Sequence, residues 1–148
     1  MKKIAFISMF VVLVATMAHA QTGMHIKALF DGRYKHSSAA TEIVVTGKKA
    51  QQLNLDLYHS LSVTNMSLAP AIMKAVVADG VQATSKEVEY RGGKLYYGYY
   101  VFARRQGNNR FVFYLDQSLA RKQPVDKVTL IYMEGNVSSA HIKSLIRQ

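Results

Sequence analysis

The chain has 148 residues, 49% of them hydrophobic, with no cysteine and with 19 Lys and Arg against 9 Asp and Glu, a net charge of +10. The absence of cysteine excludes disulfides, a thiolate nucleophile and cysteine metal sites, so a hydrophobic core has to hold the fold. The cationic excess favours anionic partners.

Lys2 and Lys3 precede an apolar run from Ile4 to Ala18, and Ala18-His19-Ala20 has the small-x-small form of a cleavage site. That pattern predicts a secretory signal peptide over residues 1–20. The run is shorter than the roughly 20 residues of a spanning helix, so no stable membrane insertion is expected after cleavage. The mature chain, 21–148, then carries 17 basic and 9 acidic residues, a charge of +8. Its length suits one domain. The expected location is a periplasm or the cell exterior.

Met24–Phe30 has strand character and ends at the turn signal Asp31-Gly32. Thr41–Thr46 reads as a short strand stopped by Gly47, and Lys48–Asn54 as one helical turn at most. Apolar residues at period two predict a strand over Leu57–Thr64, with His59 in the apolar register. A lone histidine there reads as a hydrogen-bonded core or edge residue rather than a titrating functional group. Ser67 is placed to cap a helix over Leu68–Asp79, with Pro70 in its first turn and Gly80 as its stop. Leu68, Ile72, Met73, Val76 and Val77 form its apolar stripe.

Residues 86–115 carry most of the chain's aromatic side chains. Gly92-Gly93 between Arg91 and Lys94 is a two-residue hairpin signal. That turn would oppose Tyr90 to Leu95, Glu89 to Tyr96 and Val88 to Tyr97. Alternation then places Val88, Tyr90, Leu95, Tyr97, Tyr99 and Val101 on a core face, with Tyr96, Tyr100, Phe102 and Arg104 opposite. Arg104–Arg110 reads as a longer hairpin loop. In the return strand, Phe111, Phe113 and Leu115 share the core face, with Val112 and Tyr114 on the other. Lys127–Met133 is apolar on both faces, which suits a central strand. Ser138 caps a final helix reaching about Arg147, with Ile142, Leu145 and Ile146 turned inward. These elements predict a single α+β domain. It has a mostly antiparallel sheet of six or seven strands and two helices packed on one face.

The signal peptide, GKKAQQLNLDLYHSLSVTN, the Leu68–Asp79 helix, GGKLYYGYYVF and LIYMEGNVSSAHIKSLI together resemble small exported proteins of Bacteroides and its relatives, a domain of unknown function. The resemblance covers most of the mature chain. It implies an exported α+β protein of a Gram-negative bacterium, with no activity and no site residues to carry over.

Catalytic chemistry finds little support. There is no Gly-x-Ser-x-Gly elbow, no His-x-x-x-His, no acidic calcium loop and no glycine-rich phosphate loop before a helix. No catalytic, cofactor or metal residue is assigned, and no cofactor is expected. Glu87 and Glu89, two apart on a strand, are the one carboxylate pair on a common face, and a small hydrolase using them is the alternative reading. Flanking cations would keep both ionised, against a general-acid role. The leading expectation is a non-enzymatic exported binding or accessory protein. Tyr96, Tyr100, Phe102 and Tyr114, rimmed by Arg104, Arg105 and Arg110, would hold an anionic cell-envelope glycan or a protein partner. Nucleic acid is disfavoured by export and by the scatter of the basic residues. A third reading is a structural protein whose aromatic face joins the subunits of a homo-oligomer.

Overall fold

The computed structural model describes residues 23–34 and 36–147. The expected signal peptide lies outside them. The fold is α+β: one six-stranded, fully antiparallel sheet with a few short helices. The strands are β1 (Ala40–Thr46), β2 (Leu57–Val63), β3 (Ser85–Arg91), β4 (Lys94–Arg105), β5 (Asn108–Asp116) and β6 (Val128–Gly135), in spatial order β1-β2-β6-β5-β4-β3. The α-helices are α1 (Gly47–Gln51), α2 (Ala69–Gly80) and α3 (Ser139–Ile146). From β2, α2 carries the chain to the far edge, and the meander β3-β4-β5-β6 returns it to β2.

Met24–Phe30 is not a strand. His25–Phe30 forms a 3₁₀ helix that buries Ile26, Leu29 and Phe30. Those positions fall three and four apart, a helical spacing that six residues are too few to separate from alternation. The turn is anchored from outside. The buried Asp79 carboxylate, at the end of α2, accepts from the His25 N–H at 2.6 Å and the Ile26 N–H at 2.9 Å. Two of the free amides at a helix start are thereby satisfied.

The helix over 69–80 begins after a 3₁₀ turn, Met66–Leu68, and it is Asn65 rather than Ser67 that caps the turn, accepting from the Ser67 N–H at 3.1 Å. Gly80 is the helix's last residue rather than the residue after its end. Its lack of a side chain serves a close approach: a Cβ there would lie 2.5 Å from the Tyr100 ring, and one at Gly98 would lie 2.7 Å from it. The ring is held between two glycines.

Both central glycines of the β3–β4 hairpin have positive φ, +58° at Gly92 and +77° at Gly93, and Arg91 pairs with Lys94 and Tyr90 with Leu95, as the turn predicts. The expected register ends there. A bulge leaves Tyr96 without a cross-strand partner, so Glu89 opposes Tyr97 and Val88 opposes Gly98. Leu95 therefore shares a face with Tyr100 and Phe102, and the opposite face holds Tyr97, Tyr99 and Val101. The expected partition fails for Val88, Tyr90 and Leu95 and holds from Tyr97 onward. The β4–β5 loop is also shorter than expected. Arg105 pairs with Asn108 around Gln106-Gly107, both at positive φ, and a second irregularity separates this pair from Phe102–Arg110.

The two long helices cover opposite faces, contrary to the single covered face expected from sequence. On the first face, α2 and the N-terminal 3₁₀ turn pack on Leu61, Val63, Leu95, Tyr100, Val112, Tyr114, Val128, Leu130 and Tyr132. On the second, α3 and α1 pack on Tyr99, Phe111, Phe113 and Met133. Ser138 caps α3 through its Oγ, which accepts from the His141 N–H at 3.2 Å.

Candidate functional site

The aromatic residues assigned to a binding face are mostly interior. Tyr100 is 2% exposed, Phe102 6% and Tyr114 1%. The physical reason is α2: it lies on their face, so the rings are core rather than a wet recognition surface. Burial raises the Tyr100 phenol to about 12 and pushes the Tyr114 phenol higher still, with Asp116 adding to the shift. Tyr96, released by the bulge, is half-buried beneath the Arg91 guanidinium, whose carbon lies 3.6 Å from the ring centroid. That guanidinium also meets Glu89 at 2.7 Å and donates to the Leu119 carbonyl at 2.9 Å. Arg104 is exposed at the hairpin tip, donating to the Gly107 carbonyl at 2.6 Å.

Three of the seven assigned residues do converge. Phe102, Arg105 and Arg110 line a cleft of about 290 Å³ with Ala103, the segment Gly23–His25 and, from the end of α2, Ala78, Asp79 and Gln82. Phe102 is among its lining residues, with the Arg110 guanidinium carbon 6.0 Å from the ring centroid. The β4 irregularity shapes the basic wall: Arg110 Nε donates to the Ala103 carbonyl at 3.1 Å, tying the bulged strand to its neighbour. The His25 backbone, another part of the lining, is fixed by Asp79, whose Oδ1 also lies 2.9 Å from His25 Nδ1. The one carboxylate among the cleft's lining residues is thus engaged by the wall itself.

From Arg110 a polar stripe crosses the first face. Its members are Glu134 and Tyr132 on β6, His59 on β2 and Glu42 on β1. Tyr132 donates to Glu134 Oε2 at 2.9 Å, and burial together with that carboxylate raises its phenol far above the ordinary value. His59 Nε2 lies 2.6 Å from Glu42 Oε1, and Phe30 covers the imidazole with ring centroids 3.9 Å apart. Sequence placed His59 correctly as a hydrogen-bonded core histidine but missed its partner and the other members. The period-two run Leu130, Tyr132, Glu134 was the signal for Glu134. Glu42 gave none, because its burial depends on the β1–β2 register. Among the described residues no cluster of three or more His, Asp or Glu side chains could hold a metal ion.

The alternative carboxylates, Glu87 and Glu89, lie on the exposed edge strand β3, paired with Lys143 at 2.6 Å and Arg91 at 2.7 Å. With the bulge they share a face with Tyr97 and Tyr99 rather than with Tyr96 and Tyr100.

A family model, Family of unknown function (DUF6108), matches residues 13–146, nearly the whole chain. The chain belongs to that family. The match spans the DUF6108 sheet, the helices and every residue of the cleft. No curated protein and no solved structure matches the chain. No described helix is long and apolar enough to cross a membrane.

Proposed function

We propose that this protein is an exported binding or accessory protein that holds the acidic unit of a cell-envelope glycan in the Arg105–Arg110 cleft. The observation carrying this reading is the convergence of two guanidinium-bearing side chains and an aromatic side chain on one cleft. Arginine pairs a carboxylate, sulfate or phosphate through two parallel hydrogen bonds, and an aromatic side chain offers apolar surface to a sugar's C–H groups. A cleft of about 290 Å³ accommodates one sugar unit rather than a long chain. The charge of +8 over residues 21–148 would speed the encounter with an anionic polymer. The resemblance to exported proteins of Bacteroides and the Lys2–Ala20 leader pattern support a periplasmic or extracellular setting.

Calorimetric titration with a uronate-containing oligosaccharide at low salt tests it. Binding should weaken at least tenfold in Arg105→Ala and Arg110→Ala, and should weaken as ionic strength rises. Arg104→Ala, at the hairpin tip, should bind as the wild type does. Equal affinity in the Arg105→Ala/Arg110→Ala double variant sinks the reading.

A further inference from the structure

The two edges of the sheet are treated differently. At the β3 edge Lys86, Glu87, Glu89 and Arg91 stand along a strand whose pairing with β4 is bulged. Charge and irregularity of this kind keep an edge from recruiting another strand. The β1 edge has no bulge and no outward-facing charge. All seven residues from Ala40 to Thr46 pair with β2 in unbroken register. The only ionisable side chain, Glu42, is turned toward His59 and is 15% exposed. Ile43 and Val44 are 48% and 56% exposed. The exposed side chains of this edge, Thr41, Ile43, Val44 and Thr46, carry no charge.

We propose that β1 pairs antiparallel with β1 of a second copy of this chain, joining two sheets into one of twelve strands. The self-complementarity of the strand selects that occupant. With the two-fold axis at Ile43, all seven residues find a partner: Ala40 opposes Thr46, Thr41 opposes Val45, Glu42 opposes Val44, and Ile43 opposes itself. Opposed residues share a face, so the second face gains an Ile43–Ile43 contact and the first covers Val44 against the aliphatic stem of Glu42. No like charges meet directly, which matters for a chain of net charge +10. Moving the axis one residue toward the strand's start, to Glu42, would set that carboxylate against its own copy. The two-fold pairing is closed, because each copy uses its β1 edge and presents only the charged β3 edge outward. The contact is separate from the Arg105–Arg110 cleft, so it stands or falls independently of ligand binding.

The absence of native cysteine makes a direct test available. In Ile43→Cys the two thiols would meet across the axis, within the 4.4–6.8 Å Cα separation that a disulfide spans. In Thr41→Cys they would lie about four residues of strand apart, roughly 13 Å, out of reach. Mild oxidation should cross-link Ile43→Cys and leave Thr41→Cys and the opposite-edge control Val88→Cys without an intermolecular disulfide. Light scattering of the unmodified purified protein should give twice the 16.6 kDa chain mass, or twice that of the processed chain. Ile43→Lys should return it to monomer, with a thermal midpoint that no longer rises with protein concentration. A monomer at 100 μM that forms no Ile43→Cys disulfide overturns the proposal, as does equal cross-linking of all three cysteine variants.

Discussion

Gly98 and Gly80 are ordinary residues by sequence, one inside a strand and one at a helix end. Each is fixed by the same phenol ring. A methyl group at Gly98 would come within 2.7 Å of a Tyr100 ring that already touches Gly80 on its other side, so the ring cannot retreat. Gly98→Ala should therefore destabilise the fold by about 1–3 kcal/mol, the usual cost of overpacking a filled core. The pair Gly98→Ala/Tyr100→Leu should cost less than the sum of its singles in urea denaturation, because the smaller side chain leaves room for the methyl. Additive losses would mean that the clash is relieved elsewhere. The sequence did expose part of this. It gave Tyr100 as a residue on the face opposite Tyr99, which holds. It could not say that the face is dry, since helix α2 reaches it from outside the hairpin.

Among the elements, the N-terminal 3₁₀ turn depends most on a single side chain. Asp79 supplies acceptors to two of its amides and to the His25 ring, from 53 and 54 residues away. Asp79→Ala should cost about 2–3 kcal/mol, one lost cap together with a buried N–H left without an acceptor. The loss should be local first: hydrogen exchange at Ile26 and Leu29 accelerates, while β5 and β6 amides keep their protection. Uniform acceleration across the sheet would instead make the turn part of the global unit. No local sequence pattern announces such a contact, which explains why this segment reads as a strand. The β3–β4 hairpin fails differently. The diglycine correctly predicted the turn and its first two pairs. Tyr96 and Tyr97 are both acceptable on either face of a strand, so nothing in composition marks Tyr96 as the extra residue. One unpaired position then exchanges the faces of everything on β3 relative to β4.

At the scale of the molecule, β5 and β6 place large apolar side chains on both faces, and that much is legible in Phe111–Leu115 and Val128–Met133. Two covered faces follow from it. The apolar stripes of α2 and α3 do not say which face each will meet, so the expectation of one shared face had no local correction. The two-sided core leaves Tyr100, Tyr114 and Tyr132 in the interior, and burial raises the phenol of each. A group whose folded pKa is raised contributes stability that is complete below its unfolded value and disappears as pH climbs through the folded value. For Tyr100 the window runs from the ordinary 10.0 to about 12; the other two phenols extend it upward. Stability measured by urea unfolding should thus show no loss from these tyrosines up to about pH 10 and then fall steeply. Phenolate absorbance should rise in two stages, the second coinciding with loss of the near-ultraviolet circular dichroism of the packed rings. Tyr100→Phe removes one of the buried phenols that favour the alkaline unfolded state, so its unfolding midpoint should move to higher pH. An unchanged midpoint, or a single absorbance step completed while the fold persists, would show that these phenols ionise without disturbing the core.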